Sequence, residues 1–468
     1  MKNKNILSNL FMYFTIIVFS IITLIFLMQN NIIISILAYL VVIFVSLKNN
    51  IKKFPIILFV TSLVIRLAMI FIFNFAPVSD FETLLNASKD FANGDFSFQN
   101  EPYFTTWGYQ TGFVIYQGII LKIFNSVFVL KVLNAIFSSV LCLLVYLFGK
   151  KICSEKSARM ASLLYMIFPF SLYMNTILAN HHIATFLTYI GIFFLLKDNK
   201  KIKDYVIAAV LISFGNIMRP EGIIVLFSLL LFEIFRLKKD LILKTIRNLL
   251  IFFVIYFAIG IASSLIVQKT GINDAGLSNN NPQWKFVLGF NHDSCGYYSA
   301  EDEKYLNDKE EEIEVIKERI NVSPLKMAKL MTCKVNHFWL QSDISSKNEM
   351  YSNKAYNVLG MQIKFTDVEK VVISFNTILY IITFLMCIIG VIFNRKKIIK
   401  DNSFFFVIMI MVTFFVYLLI EIQPRYAYFI HVSIFILSTY GYEIVLNKIK
   451  KLLNKKNKMK LRSWYIDK

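Results

Sequence analysis

Charged side chains stand where several apolar segments of this sequence end. Asp80 and Glu82 directly follow one apolar run, in the stretch PVSDFETLLNASKDFANGDF. Other such corners hold the following residues: His181, His182, Arg219, Glu221, Glu421, Gln423 and Arg425. Charges at a membrane boundary are costly unless they are solvated, paired or functional. Any one of them can be a simple polar helix end, but acids and arginines at four corners of one face indicate a shared polar cavity.

A cavity with these side chains suits the transfer of a group from a phosphorylated lipid. A carboxylate beside water can act as a general base and deprotonate an acceptor hydroxyl. Arginine forms paired, permanently charged hydrogen bonds to phosphate, which suits a lipid phosphate as leaving group. The sequence has no Walker loop, dinucleotide fingerprint, GxSxG or HEXXH motif, so nothing indicates nucleotide binding or a serine nucleophile. Asp80 and Glu82 alone do not form a coordination shell, and no metal site is predicted.

The apolar segments that must position these residues are long enough to cross a membrane. The chain has 468 residues, of which 57% are hydrophobic, a composition typical of membrane proteins. Apolar stretches of about 18 to 24 residues match a helix that spans the hydrocarbon core, and the alternating strands of an outer-membrane barrel are missing. We predict an all-α polytopic membrane protein with about twelve transmembrane helices, near residues 7–28, 31–47, 54–76, 127–148, 160–178, 182–196, 204–218, 221–235, 247–267, 371–393, 403–421 and 425–446.

The distribution of lysine and arginine predicts the orientation of these helices. The net charge is +20, from 50 basic and 30 acidic side chains. The basic residues lie mostly in alternate short loops and in the C-terminal tail, so these loops and both termini are predicted to be cytoplasmic. The polar corners then all face the outer side. This distribution indicates contacts with anionic lipid head groups rather than with nucleic acid.

Two segments on the outer side are long enough to fold. The first outer loop, residues 77–126, contains WGYQTGFVIYQGIILKIFNS, which predicts an amphipathic helix on the membrane surface. Residues 268–370 predict an α-rich cap with two helices separated near Pro324. Cys295 and Cys333 share this compartment, and the sequence leaves open whether they pair. The predicted organisation is an additional N-terminal hairpin (1–53), a transmembrane core (54–267), the cap (268–370), C-terminal helices (371–446) and a basic tail (447–468).

The order of these segments is similar to that of a known family. The acidic first outer loop, SDFETLLNASKDFANGDF, is followed by LLYMIFPFSLYMNTILANHHIATFLTYIGIFFLL, then by SFGNIMRPEGIIVLF and finally by EIQPRYAYFIHVSIFILSTYGYEI. The sequence thus resembles GT-C glycosyltransferases of the protein O-mannosyltransferase and lipid A aminoarabinose transferase type, from about Arg66 to Glu443. The resemblance rests on the order and common sidedness of these motifs, and it implies the GT-C fold.

The resemblance also implies roles for individual residues. Asp80 corresponds to the catalytic base, and Glu82 is a candidate for a second catalytic carboxylate. Phe81 separates the two acids, whereas many family members have adjacent acids at this point. Arg219 and Arg425 match the positions expected to bind the polyprenyl phosphate.

Other polar and aromatic residues are expected to line the same groove or to hold the fold. Tyr426 is predicted to bind the donor lipid phosphate together with Arg219 and Arg425. The candidates for substrate binding are His181, His182, Trp107, Tyr109 and Glu421. His181 and His182 stand where family members often have an acidic residue. Trp284 and Trp339 in the cap, like the aromatics of the first loop, either stack on sugar rings or anchor the membrane boundary. Arg66 lies in mid-span and is expected to face the bundle interior and form a structural pair there, rather than to take a direct part in catalysis.

We therefore predict a membrane glycosyltransferase that transfers a sugar from a polyprenyl-phosphate-linked donor to an extracytoplasmic acceptor, which is a cell-surface glycan, a lipid or a protein. The expected location is the bacterial cytoplasmic membrane, with the active site on the outer face. The partners are the lipid-linked donor, membrane lipids and a cell-envelope acceptor. The resemblance implies that the reaction inverts the anomeric configuration and that it requires no cofactor, although the sequence is compatible with a bound divalent cation. Two alternatives remain: a polysaccharide polymerase or ligase of the O-antigen type, and a polytopic lipid or solute transporter.

Overall fold

The structure is a computed structural model that describes the chain except residues 1, 27–32, 49–50, 74, 238, 343, 345–354, 359 and 467–468. The described part is mostly helical. Its α-helices are α1 (Lys2–Phe26), α2 (Ile33–Leu47), α3 (Phe54–Ile72), α4 (Asp80–Asn93), α5 (Pro102–Thr106), α6 (Thr111–Phe124), α7 (Val127–Ile152), α8 (Glu155–Met166), α9 (Pro169–Met174), α10 (His181–Leu195), α11 (Ile202–Met218), α12 (Gly222–Arg236), α13 (Ile242–Lys269), α14 (Trp284–Gly289), α15 (Lys309–Ile320), α16 (Pro324–Val335), α17 (Phe365–Lys400), α18 (Phe404–Leu419) and α19 (Tyr428–Ile466).

The predicted apolar stretches form helices. Within the described residues, five helices are long and apolar enough to cross a membrane: Phe54–Ile72, Val127–Ile152, Ile242–Lys269, Glu369–Lys400 and Pro424–Leu452. Four shorter apolar helices accompany them: Ile6–Val18, Ile36–Leu47, His181–Leu195 and Phe404–Leu419. The stretch 160–178 is divided between α8 and α9, because Pro169 disfavours helical backbone at the residue before it. The chain is a multi-pass membrane protein, and the count of twelve crossings stays a prediction.

Close contacts between helices hold the bundle together. Gly441 of α19 lies against α17, and a Cβ atom at this position would be 2.1 Å from the carbonyl oxygen of Met386. Small residues allow such close approach between helices in membrane proteins, where van der Waals packing stabilises association. The packing therefore requires glycine at position 441.

The first outer loop folds into α4, α5 and α6. Phe98, Phe104 and Phe113 are buried in a core to which Ile183 of α10 and Met218 of α11 also belong. This shared core fixes the loop on the outer ends of the membrane helices. The helix predicted here is present as α6, and its place on the membrane surface stays a prediction.

The cap, residues 268–370, shows the predicted break between two helices. α15 ends at Ile320, and α16 begins at Pro324, with the hydroxyl of Ser323 accepting a hydrogen bond from the Lys326 backbone N–H. Cys295 and Cys333 form a disulfide, which answers the question that the sequence left open.

The prediction of an all-α chain is wrong in one detail. The strands β1 (Ala355–Val358) and β2 (Met361–Lys364) pair as an antiparallel hairpin. Gly360 in their connection has a φ of 83°, a left-handed conformation that glycine adopts without steric cost. Each strand has only four residues, too few for the period-2 pattern to be recognised.

A buried lysine attaches the cap to α18. Lys334 on α16 is 1% exposed, and its Nζ donates hydrogen bonds to the carbonyl oxygens of Gly289, Leu418 and Ile420, at 2.8, 2.9 and 2.8 Å. These three acceptors match the three donors of an ammonium group. Trp339 follows in the same region, is buried and packs against Phe384. Its burial excludes Trp339 as a platform for a sugar.

Arg66 is fully buried and has partners inside the helix bundle. Its Nη1 donates to the Ser62 hydroxyl at 2.6 Å, and its Nη2 donates to the Ser171 hydroxyl at 3.2 Å. The carbonyl oxygen of Met166 lies 3.5 Å from Nη1. The partners are thus hydroxyl and carbonyl oxygens, and Arg66 links α3 to the segment around α9.

The disulfide makes the stability of the cap dependent on redox conditions. Cys295 and Cys333 are 38 residues apart in sequence, a separation for which the chain-entropy model gives about 4 kcal/mol of stabilisation. We expect Cys295→Ser, Cys333→Ser or treatment with dithiothreitol to accelerate limited proteolysis within residues 296–332. Cys153→Ser, at a free cysteine, is the matched control. Equal cleavage rates with and without reductant would contradict this assignment.

Candidate active site

A cavity of about 680 Å³ opens where the first outer loop, the cap and the turn between α18 and α19 meet. The start of α10 and the turn between α11 and α12 complete its wall. Its charged lining residues are Asp80, Arg219, Glu221, Lys285, Glu303, Glu421 and Arg425. Acids and arginines from separate corners of the sequence therefore do meet in one polar cavity.

A sharp turn places Asp80 at the cavity. Ser79 has a φ of 52° and a ψ of −137°, a strained conformation for a residue with a side chain, and α4 starts at the next residue. Such strain costs of the order of 1–3 kcal/mol and is concentrated at functional sites. The side chain of Asp80 is half exposed, and its Oδ2 lies 3.7 Å from Nη2 of Arg425. Asp80 is thus a carboxylate in contact with water beside a permanent positive charge.

Tyr426 separates the two arginines of the cavity. The guanidinium of Arg219 lies 4.6 Å from the centre of the Tyr426 ring, and that of Arg425 lies 5.8 Å from it. Arg425 also lies 5.2 Å from the ring centre of Phe81. Contacts between guanidinium groups and aromatic faces help to hold the cations in place. The three residues predicted to bind the lipid phosphate therefore form one cluster.

Arg219 is further held by the turn that contains it. It ends α11 in an extended conformation, with a φ of −156° and a ψ of 130°. Its Nε donates to Oε1 of Glu221 at 2.6 Å, and its Nη1 donates to Oδ1 of Asn180 at 3.4 Å. The guanidinium thus has a fixed orientation at the cavity wall.

Lys285, like Glu303, is a charged residue of this cavity that the sequence did not indicate. Its Nζ donates to Oε2 of Glu421, and its carbonyl oxygen accepts from the Glu421 backbone N–H at 2.7 Å. Oε1 of Glu421 accepts from Gln423 Nε2 at 2.9 Å. Gly289 permits this contact, since a Cβ atom there would lie 2.4 Å from the carbonyl oxygen of Leu419. A lysine 136 residues away from its partner gives no signal in the sequence.

The pair of Lys285 and Glu421 stays charged although Glu421 is buried. Burial by itself would raise the pKa of Glu421, but the Lys285 charge, the hydrogen bonds from Lys285 and Gln423 and the Arg425 charge together outweigh it and leave that pKa below its usual range. Burial likewise opposes the charge of Lys285, but the charge and hydrogen bond of Glu421, with contributions from Tyr426 and Tyr109, raise the lysine pKa. Glu421 is therefore occupied in holding the cap against the turn between α18 and α19.

Aromatic residues of the first outer loop form another part of the wall. Trp107 and Tyr109, both predicted for substrate binding, line the cavity together with Tyr103 and Trp284. The Tyr109 backbone N–H donates to the Ser278 carbonyl oxygen at 2.9 Å, which ties the loop to the cap. Burial, reinforced by Asp80, raises the pKa of Tyr103, so this hydroxyl stays protonated. These rings offer flat faces to a sugar.

The structure does not bring two of the predicted residues to the cavity. Glu82 is exposed on α4 and lies outside the lining residues. His182 is buried, and its Nε2 lies 2.8 Å from the carbonyl oxygen of Met174, so that Nε2 carries the proton and donates. Its Nδ1 then accepts from the hydroxyl of Ser138 or Tyr428, each at 3.1 Å. His181, by contrast, lines the cavity.

Possible metal ligands do not converge at Asp80. Among the described residues, one group of three side chains places possible ligand atoms within 4.8 Å of one another. It consists of Cys295, Cys333 and His337. Both cysteines of this group are already joined in the disulfide. Whether the reaction uses a divalent cation stays open to experiment.

The sequence matches the family model of dolichyl-phosphate-mannose-protein mannosyltransferases over residues 113–263, from α6 into α13. This match covers about a third of the chain and agrees with the predicted resemblance. The matched segment contains His181, Arg219 and Glu221, whereas Asp80 and Arg425 lie outside it. A search of curated proteins found no match.

Solved structures give partial likenesses. The archaeal oligosaccharyltransferase AglB from Archaeoglobus fulgidus, in complex with an inhibitory peptide and a dolichol-phosphate, is similar at 15% identity and a TM-score of 0.47. That alignment covers 87% of this chain and 52% of AglB, so this chain spans about half of that protein. The apo form of the A. fulgidus enzyme gives 16% identity, a TM-score of 0.48 and the same coverage. ArnT from Cupriavidus metallidurans bound to undecaprenyl phosphate is similar at 12% identity and a TM-score of 0.38. That alignment covers 84% of this chain and 76% of ArnT.

The contact between Lys285 and Glu421 predicts how the cap responds to mutation. Lys285→Met leaves a carboxylate that is 3% exposed without its cation, and breaking a buried pair costs about 3–5 kcal/mol. We expect faster proteolysis of the cap and a lower unfolding temperature. The double variant Lys285→Met/Glu421→Gln should recover most of the loss, and Lys309→Met, on the exposed surface of the cap, should have no effect. Additive losses in the double variant would show that the pair is not the attachment.

The same pair predicts the pH dependence of the cap. The lowered pKa of Glu421 means that its contribution is complete above the ordinary value of 4.5 and is lost as the pH falls through the lowered pKa. The raised pKa of Lys285 keeps its contribution complete below the ordinary value of 10.5 and delays its loss beyond that value. The part of the attachment that this pair provides should therefore be lost in strong acid, with faster proteolysis of the cap there. Above neutral pH the attachment changes for a separate reason, because burial lowers the pKa of Lys334 to about 7. An acid transition that is unchanged in Lys285→Met/Glu421→Gln would contradict this assignment.

Proposed function

We propose that this chain transfers a sugar from a polyprenyl-phosphate-linked donor to a hydroxyl group of an extracytoplasmic acceptor. The observation that carries the proposal is the arrangement of Asp80, Arg425, Tyr426 and Arg219 along one wall of the cavity. A water-accessible base and two aromatic-bound guanidinium groups are what a displacement at a glycosyl phosphate needs. The name of the matched family, a mannosyltransferase with a dolichyl-phosphate-linked donor, supports this donor class.

The reaction is a single displacement at the anomeric carbon. Asp80 accepts the proton of the acceptor hydroxyl, whose oxygen forms a bond to the anomeric carbon. The bond from that carbon to the phosphate oxygen breaks, and the electron pair leaves with the polyprenyl phosphate. Arg219 and Arg425 stabilise the negative charge of the leaving group, an electrostatic contribution that needs no reorganisation of the site. One displacement inverts the anomeric configuration.

Lys285 does not take part in phosphate binding in this proposal, because it is bound to Glu421 through both its side chain and its backbone. The arginines differ from it, because a guanidinium has five N–H donors in a fork that suits phosphate, of which Arg219 donates one to Glu221 and one to Asn180. The phosphate is therefore assigned to the space between Arg219 and Arg425, in front of Tyr426.

The proposed setting is the outer face of a bacterial cytoplasmic membrane. Alternate loops rich in lysine and arginine favour cytoplasmic termini and place the cavity outside. Nucleotide sugars are absent from that side, so the donor must be lipid-linked. The acceptor is a component of the cell envelope, and the reaction is proposed to need no cofactor beyond the lipid-linked sugar.

Removing the base tests the mechanism directly. In proteoliposomes with a panel of radiolabelled polyprenyl-phosphate sugars, Asp80→Asn should reduce the release of polyprenyl phosphate by about 100-fold or more, the usual contribution of a general base. Asp90→Asn changes one charge on the same helix and should retain activity. Near-full turnover of a folded Asp80→Asn protein would overturn the mechanism and favour a polymerase or ligase that relies on arginines.

Replacing the arginines tests the position of the phosphate. Arg219→Met and Arg425→Met should each lower kcat by about 100-fold, as loss of a charge-stabilising donor does in other enzymes. Both should also weaken inhibition by sugar-free polyprenyl phosphate. Arg247→Met, on the exposed surface near the start of α13, is the matched control. Unchanged inhibition in both variants would place the phosphate elsewhere.

A further inference from the structure

Two buried polar groups of the cavity wall have atoms without a hydrogen-bond partner in the described part of the chain. His181 is 1% exposed, and neither Nδ1 nor Nε2 has a partner. Glu221 is 5% exposed, and its Oε2 has none. Among the described residues with such buried atoms, these two line the cavity, and the others lie away from it.

Unpartnered atoms of this kind indicate a ligand. Buried polar groups nearly always have hydrogen-bond partners, because a buried group without one costs about 1–3 kcal/mol. A group that lines a cavity recovers this energy when a hydroxylated molecule enters. The imidazole offers one donor and one acceptor, and the carboxylate oxygen offers an acceptor. The pattern matches the hydroxyl groups of a carbohydrate.

Both groups lie beside the arginine that is assigned to the phosphate. Oε1 of Glu221 accepts from Nε of Arg219 at 2.6 Å, which leaves Oε2 as the open oxygen of the same carboxylate. The His181 ring stacks on Tyr426 with ring centres 6.2 Å apart and planes at 23°, on the ring that also contacts Arg219. Whatever contacts His181 and Glu221 is therefore a close neighbour of the phosphate.

We propose that His181 and Glu221 bind the sugar of the donor through its hydroxyl groups, and that this subsite takes an uncharged sugar. The inference rests on the proposed function, because the phosphate position defines which substrate part lies here. The Glu221 carboxylate repels the carboxylate of a uronic acid, and Arg219 and Arg425 repel a cationic amino sugar. In this proposal Glu221 and the phosphate both contact Arg219. Glu221 therefore lies near the anomeric carbon and contacts the hydroxyl on the adjacent carbon, C2.

Purified full-length protein in proteoliposomes tests this subsite with defined donors. The probes are undecaprenyl phosphate linked to glucose, galactose, mannose, the 2-deoxy form of the hexose that is used, or glucuronic acid. Wild-type protein should use at least one hexose donor, with kcat/KM at least about tenfold above that for glucuronate. His181→Ala and Glu221→Gln should each lower kcat/KM for that hexose by about tenfold or more, the effect of one lost hydrogen bond to a substrate hydroxyl.

Two comparisons separate sugar binding from a merely structural role. Inhibition by sugar-free undecaprenyl phosphate should change by less than about threefold in both variants, because the arginines remain. The wild type should discriminate against the 2-deoxy donor, and Glu221→Gln should lose this discrimination. Glu233→Gln, at the other end of α12, and His337→Ala, in the cap, are the matched controls and should behave as wild type.

The possible failures are distinguishable. The wild type releases polyprenyl phosphate if the proposed function is right. If it does so but both variants keep unchanged hexose kinetics, or if it prefers glucuronate, the sugar subsite is overturned and the proposed function stays intact. An equal loss of donor turnover and of inhibition by sugar-free lipid phosphate would assign His181 and Glu221 to the support of Arg219 instead. No release by folded wild-type protein from any donor would overturn both proposals.

Discussion

The attachment of the cap to the turn between α18 and α19 is the interaction on which the cavity depends. Two lysines make it: Lys285, whose side chain is 32% exposed, pairs with the buried Glu421, and the buried Lys334 donates to three backbone carbonyl oxygens. A buried charge is costly unless it is paired or fully hydrogen-bonded, so Glu421 and Lys334 tolerate few alternative positions. The same turn carries Arg425 and Tyr426, and its position relative to the cap therefore determines where the proposed phosphate ligands lie.

The electrostatics of the cavity follow from this attachment. Glu421 belongs to the cap contact, and Glu221 holds Arg219 through one of its oxygens. Arg425 instead faces Asp80 at 3.7 Å, which is longer than a hydrogen bond. Arg219 is thus held closely by a carboxylate, whereas Arg425 lies against the rings of Phe81 and Tyr426.

The proposed parts of the reaction then occupy successive positions along one wall. Asp80 lies at the water-accessible side, where an acceptor hydroxyl arrives, and the two arginines on Tyr426 hold the leaving phosphate. His181 and Glu221 lie beyond them in a buried position, with unpartnered atoms for the sugar. The strained backbone of Ser79 directs Asp80 towards this row, since a relaxed residue there would start α4 along another direction.

Much of this architecture was determined by the sequence itself. Apolar length predicted the helices, and Pro324 marked the break between two cap helices. The acids and arginines at helix ends predicted a common cavity, because charges at a membrane boundary are costly unless they are solvated, paired or functional. The break at Pro169, inside a stretch predicted as one helix, was missed. The sequence could not separate Asp80 from Glu82 or His181 from His182, since neighbours on a helix point to different sides and only packing selects one. It also gave no sign of the Lys285–Glu421 pair or of the oxygen ligands of Arg66. Those contacts join residues far apart in the chain, and the tertiary structure alone decided them.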